Sequence, residues 1–173
     1  MAVSSSSPLS FRPAEPGDIP ALHALIERAY RGESARLGWT HEADLIASPR
    51  TSADELAGII SSPDDRLIGA WRGAAPVGCV RLSRQAPDGA YLGMLAVDPA
   101  LQGGGLGDAI LRHAEAQAPA LFGARTMVMW VVSVRGELIA YYRRRGYAPT
   151  GERRPFPVAL DPPLEFVVMR KAL

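Results

Sequence analysis

At 173 residues the chain has the length of one domain, long enough to bury a core without disulfide or metal staples. Its hydrophobic share of 47% and charged share of 21% are those of an ordinary soluble globule. A formal net charge of +1, with no block of like charge and no apolar run near the roughly 18 residues of a membrane span, argues against a nucleic-acid partner and a membrane partner.

Residues 1–8 carry serines at positions 4–7 and lack a basic stretch followed by an apolar one. They read as a disordered tail and not as a signal peptide, which makes the cytoplasm the expected location. Residues 9–173 read as a single domain. A short strand over 9–13 leads to a turn at Pro16-Gly17-Asp18 and a helix over 19–31, where Leu22, Leu25, Ile26 and Ala29 recur three and four apart. Residues 32–50 read as a loop with a short helix. Ser52 with Glu55 three positions on predicts a capping box that opens a helix to about residue 60.

Strands are expected over 66–71 and 77–82, joined by the turn Gly73-Ala74-Ala75-Pro76. The only cysteine, Cys79, falls in the second of these and reads as a small buried hydrophobe. After the turn Pro87-Asp88-Gly89 comes a strand over 91–97, closed by Asp98-Pro99 because proline lacks a donor and disfavours helix before it. A helix over 106–118 is expected to end at Pro119. The β-branched run 126–132 reads as a central strand, and a helix over 135–145 stops at Gly146. A further strand begins at Tyr147, and 166–170 is the last, after a loop from Pro155 to Pro163. With no internal repeat and no linker, this is one α/β domain with a mixed sheet.

The segment Gln102-Gly103-Gly104-Gly105-Leu106-Gly107 lies between a strand and an amphipathic helix. The first amides of a helix have no internal partner, and the dipole is positive at that end. Glycine allows an oxyanion to approach the backbone closely. The arrangement is therefore a phosphate cradle. It is not a Walker loop, since Asp108 follows Gly107 where that motif needs Lys-Ser/Thr. It is not a dinucleotide fingerprint, because the third glycine would fall on Asp108 or Ile110.

The segment does fit Gln/Arg-x-x-Gly-x-Gly/Ala. With Leu92-Gly93-Met94-Leu95-Ala96-Val97-Asp98-Pro99 before it, it resembles the acetyl-CoA motif of the GNAT superfamily of N-acetyltransferases. Ala140-Tyr141-Tyr142-Arg143-Arg144-Arg145-Gly146-Tyr147 resembles that superfamily's aromatic-Tyr-x-x-x-Gly-aromatic segment, and Phe11-Arg12-Pro13-Ala14 with Gly17-Asp18-Ile19-Pro20 resembles its usual start. The resemblance runs over about 9–166. It implies a GNAT-like α/β fold: a mixed central sheet of about six to seven strands flanked by helices, with two central strands splayed apart.

The resemblance also implies a chemistry. The pantetheine arm of acetyl-CoA, the implied cosubstrate, enters the splay and bonds to the backbone of Leu95, Ala96 and Val97. Its diphosphate rests on Gln102, Gly103, Gly104, Gly105, Leu106 and Gly107. Arg135, Tyr141 and Arg144 complete the cofactor site. Arg135 and Leu138 stand where the superfamily often has Asn and Ala. Asp108 sits beside the diphosphate, and its carboxylate is expected to face solvent, since it suits the helix dipole but repels the ligand. A backbone amide near Ala96 and Val97 polarises the thioester carbonyl. Tyr142 matches the tyrosine that protonates the leaving sulfur, a role suited to a phenol with a reference pKa of about 10.

The base that neutralises the amine is left open between Glu33, His41, Glu42 and a water chain ending at Tyr91, which stands where some members carry glutamate. Trp39, His41, Glu42 and Phe156 are the candidate acceptor contacts. His23, His113 and Cys79 lack metal-ligand spacing, so no metal is expected. The reading is an N-acetyltransferase acting on a primary amine of a small molecule or peptide. Its rivals are a non-catalytic acyl-CoA sensor and a binder of another phosphate ligand. A homodimer is compatible with the sequence, which names no surface for it.

Overall fold

The computed structural model describes residues 7–30, 49–157 and 159–173. In chain order these form β1 (Leu9–Pro13), α1 (Ile19–Tyr30), α2 (Ala53–Ser61), β2 (Asp65–Arg72), β3 (Ala75–Gln85), β4 (Gly89–Val97), α3 (Leu106–Phe122), β5 (Thr126–Val132), α4 (Gly136–Arg144), β6 (Ala148–Pro155) and β7 (Glu165–Ala172). The expected helix within 32–50 and the first six residues of the expected tail lie outside the described residues.

Seven strands form one mixed sheet in the order β1-β2-β3-β4-β5-β7-β6. β1 to β4 make an antiparallel meander. β5 lies parallel to β4, as a crossover through α3 requires, and β7 inserts antiparallel between β5 and β6. The α/β class and the strand number agree with the sequence reading.

Each face of the sheet carries its own core. On one side Ile110, Leu111 and Ala114 of α3 pack on Leu82, Leu92, Met127 and Met129. On the other, Leu22, Leu25 and Ile26 of α1 and Leu56 and Ile59 of α2 pack on Leu67, Trp71 and Cys79. A helix as short as α1 is marginal alone. Three wholly buried aliphatic side chains, each contributing roughly 1.5–3 kcal/mol, hold it to the sheet.

Three local expectations need correction. Pro119 does not end α3, which runs on to Phe122 and closes at Gly123 with φ 63°. Proline in a helix interior costs about 3 kcal/mol, but Pro119 faces solvent, and the extra turn buries Phe122. The box on α2 is half made: the Ser52 hydroxyl accepts from the Glu55 amide, while the Glu55 carboxylate accepts from the Thr51 hydroxyl at 2.6 Å. The strand expected to begin at Tyr147 begins at Ala148 and extends to Pro155, taking in the start of the expected loop.

Candidate active site

A bulge in β4 organises the site. Arg81 pairs with Gly93 and Cys79 with Ala96, so Val80 alone faces both Met94 and Leu95. Met94 adopts φ 51°, the one non-glycine residue among those described with positive φ. Such a conformation costs of order 1–3 kcal/mol and persists only where the surroundings enforce it. Here the buried Met94 side chain joins the α1 core. The Tyr30 hydroxyl, at the end of α1, donates to the Leu95 carbonyl. The bulge also reverses the strand's alternation: Leu92 faces the α3 core, whereas Met94 and Ala96 face α1 and α2.

Past the bulge β4 parts from β5. The two strands pair only at Gly89↔Thr126, Ala90↔Met127 and Tyr91↔Val128. From there on, the facing edges of both strands carry no ladder, although their outer edges pair with β3 and β7. Backbone groups at such a splay need another partner. The gap opens into a cavity of about 400 Å³ that reaches from Gly93 to the mouth of α3.

The glycine segment forms that mouth. Gly103 and Gly105 have φ of 88° and 80°, and Gly105 is the N-cap of α3. A Cβ at either would touch nothing within 4 Å, so the conformation and not crowding calls for glycine there. The first helical amide bond runs from Ala109 to the Gly105 carbonyl at 3.0 Å, leaving the amides of Leu106, Gly107 and Asp108 without an intrahelical partner at the positive end of a 17-residue helix. Gln102, Gly103, Gly105, Leu106, Gly107 and Asp108 line the cavity; Gly104 does not.

The Asp108 carboxylate is not turned to solvent. It accepts from Arg145 Nε at 2.9 Å and pairs with Arg112 at 2.9 Å. The Arg145 guanidinium also lies 3.5 Å from the centre of the Tyr141 ring and itself lines the cavity. The expectation of a solvent-facing carboxylate misses this because Arg145 is 37 residues away in sequence. Arg144, the arginine singled out from the sequence, is exposed and outside the lining.

Helix α4 brings the tyrosines in. Tyr141 and Tyr142 both line the cavity, and the Tyr142 ring meets Tyr141 and Tyr147 edge-on at 5.3 and 5.9 Å. Burial pushes the Tyr142 phenol well above the ordinary tyrosine range. A Cβ on Gly107 would stand 3.3 Å from the Tyr141 hydroxyl, so a bare glycine lets the two helices meet. Leu95, Ala96 and Val97 line the cavity from β4. Arg135 is the buried N-cap of α4, its Nε bonded to Glu137 at 2.8 Å, and is not part of the lining.

Tyr91 lies one step outside the gap, its ring lying over Gly93, where a Cβ would come within 2.7 Å of it. Burial raises its pKa, against the opposing charges of Arg50 and Arg81. Tyr91 heads an aromatic row on the face opposite α3: its ring is 5.1 Å from Trp130, Trp130 is 5.9 Å from Phe166, and Phe166 is 5.0 Å from Phe156. Phe156 is thus tied to the site through Phe166, which with Trp130 lines the gap. Tyr30, Trp130, Phe166 and Arg145 are site residues that sequence reasoning did not select. For Trp130 a signal existed: it alternates out of phase with Met127, Met129 and Val131. Cys79 is buried, with its thiol pushed up to about 12 by desolvation, and takes no part in the cavity. Glu33, Trp39, His41 and Glu42 lie outside the described residues.

This arrangement is matched by known proteins. The family model for the acetyltransferase (GNAT) family matches residues 21–147. The chain belongs to the GNAT acetyltransferase family. Among solved structures, the ribosomal-protein-S18-alanine N-acetyltransferase of Escherichia coli superposes with a TM-score of 0.74 at 21% identity, covering 95% of this chain and 94% of that one. YncA of Salmonella typhimurium, described as an acetyltransferase and solved with its cofactor acetyl-CoA, gives 0.72 at 18% identity over 96% and 95%. At such identities the likeness concerns the fold. No curated protein matches the sequence. The acetyltransferase takes acetyl-CoA as cosubstrate, and its residues fit that molecule. A slot between strands with unpaired edges suits the amides of a pantetheine arm, and three free helix amides behind bare glycines suit a diphosphate. No helix among the described residues is long and apolar enough to cross a membrane.

Proposed function

We propose that the acetyltransferase moves an acetyl group directly onto a primary amine of a small molecule or peptide, with Tyr142 as the proton donor. The observation that carries this reading is the burial of the Tyr142 phenol on the wall of the splay, beside Leu95, Ala96 and Val97. Acetyl-CoA, when bound, supplies a thioester carbonyl for the amine to attack and a thiolate to be protonated. A phenol is protonated at neutral pH and can donate as the sulfur becomes a thiolate; burial keeps that proton in place but makes the phenol a weaker acid, so the role rests on its position in the splay. The unpaired amides of the splayed β4 edge are donors for the amides and carbonyl of the cosubstrate, and Tyr30 holds that edge in place through the Leu95 carbonyl.

The diphosphate falls to the amides at Leu106, Gly107 and Asp108, with Arg145 as the nearest cation. The amine arrives on the aromatic face, past Tyr91. With its pKa raised, Tyr91 can accept the amine's proton only if it passes its own onward, so it serves as a relay and not as a standing base. The acceptor's flank is Phe156 and Trp130.

The test is release of free thiol from acetyl-CoA across a panel of amines. Tyr142→Phe should lower kcat about 100-fold to 1,000-fold, within the range of a general acid, while acetyl-CoA binds with unchanged affinity by calorimetry. An undiminished kcat in the variant would remove Tyr142 from the mechanism.

A further inference from the structure

A second, shallower cleft adjoins the splay on the face opposite α3. It has a volume of about 360 Å³ and is lined by Arg81, Ser83, Arg84, Gln85, Tyr91 and Trp130. Trp130 lines both cavities and so forms the wall between them. The register shows how close the cleft lies to the chemistry: Arg81 pairs across the ladder with Gly93, which itself lines the splay.

Arg81 and Arg84 border this cleft, and no carboxylate among the described residues lines it, but the Arg84 guanidinium lies over the Phe122 ring of α3 on the other face, so Arg81 is the arginine whose head serves this cleft. Asp65 sits behind the lining and takes Nε and Nη2 of Arg81 at 3.0 and 2.9 Å, with the Ser83 hydroxyl donating to the same oxygen at 2.5 Å. That fixes the guanidinium in place and leaves both Nη1 hydrogens and the second Nη2 hydrogen as its remaining donors. The Arg154 guanidinium lies 4.7 Å from the centre of the Trp130 ring and is paired with Glu152 at 2.8 Å. A pre-oriented guanidinium beside an aromatic surface suits a planar anion with an apolar neighbour. A polyamine has no carboxylate to offer Arg81.

We propose that the acceptor is a small amine bearing a carboxylate a few bonds from its nitrogen, the carboxylate resting on Arg81 and the apolar body on Tyr91 and Trp130. This rests on the transfer reading above and names its substrate class.

Matched pairs test it, with the full chain at saturating acetyl-CoA: amino acids with apolar side chains against the same amino acids as carboxamides, and a polyamine alongside. The readout is kcat/KM for thiol release. The carboxylates should lead their carboxamides by about 10-fold to 100-fold, the range of a hydrogen bond to a charged group. Arg81→Gln should erase that lead by raising KM, with acetyl-CoA affinity unchanged, and Arg81→Lys should restore part of it. Carboxamides or the polyamine turned over as well as the carboxylates would overturn the proposal while leaving acetyl transfer standing. So would a lead that persists in Arg81→Gln. Thiol release with no amine in any class, although acetyl-CoA binds, would take down the transfer reading and this one together.

Discussion

Asp108 puts a carboxylate on the rim of a phosphate cradle, and the fold answers with two arginines. Arg112 comes from the next turn of α3 and is mostly exposed, so its share is small. Arg145 comes from the far end of α4, is shielded by the Tyr141 ring, and faces the cavity. Asp108 thus orients a cation that a diphosphate can also use. Arg145→Gln should weaken acetyl-CoA binding about threefold to tenfold, as loss of a half-exposed charge contact allows. Asp108→Asn should tighten it by a smaller factor, because the carboxylate's repulsion goes while Arg145 stays. S-acetylpantetheine, which has no phosphates, should bind all three proteins alike. Calorimetry with both ligands checks this, and equal loss for the two would show that Arg145 supports the fold and not the phosphates. At this scale the glycines and Tyr142 were legible, because local backbone needs and a local motif select them. Tyr30 and Phe166 were not, because each reaches the site from an element distant in sequence; Arg145 lies in the same motif as Tyr142, but only the packing of α4 against α3 shows which of three consecutive arginines faces the cavity.

β3 and β4 share the burden of the bulge. Gly78 pairs with Val97 just beyond it, where a Cβ would overlap Ile110 Cδ1 and come within 2.7 Å of the Ala96 carbonyl oxygen. The Ile110 methyl can turn away, but the carbonyl belongs to the strand that lines the splay. Gly78→Ala should therefore cost about 1–3 kcal/mol of stability, as overpacking does, and should weaken acetyl-CoA binding as well. Denaturant titration and calorimetry on the same variant test both. A stable variant with intact affinity would mean that β4 is free to shift there. Strand and helix periods located nearly every described element, yet Pro119 shows their limit: a breaker on an exposed face yields to buried Phe122 one turn on.

For the whole molecule, the open splay is a weakness that the cosubstrate can remove. A ligand at 100 times its Kd stabilises the folded state by about 2.7 kcal/mol, and at roughly 2–4 °C per kcal/mol for a chain of this size acetyl-CoA should raise Tm by about 5–10 °C. ATP at equal concentration should not. The tyrosines set the alkaline limit. Tyr91, Tyr142 and Tyr147 are all raised by burial, Tyr147 also by the Glu115 carboxylate it donates to at 2.9 Å. Because the folded state holds these protons more tightly than the unfolded chain, their contribution is intact below the unfolded pKa of about 10 and is lost as pH rises further. The denaturation midpoint should stay level from pH 7 to about 8, begin to fall above about 8.5 as the thiol of buried Cys79 titrates in the unfolded chain, and fall more steeply above about 10; a curve flat to about pH 11 would show that these groups are not held protonated by the fold.

By itself the sequence determined the α/β order, the phosphate cradle with its glycines, and the family, since these depend on short-range periodicity, on φ values only glycine tolerates, and on motifs contiguous in the chain. The tertiary structure alone decided where β4 leaves β5, that Met94 bears the bulge, and that Arg81, Trp130 and Arg145 border the site. Strand pairing and the approach of side chains from separate elements are settled by packing both faces of one sheet, and no stretch of neighbouring residues encodes that.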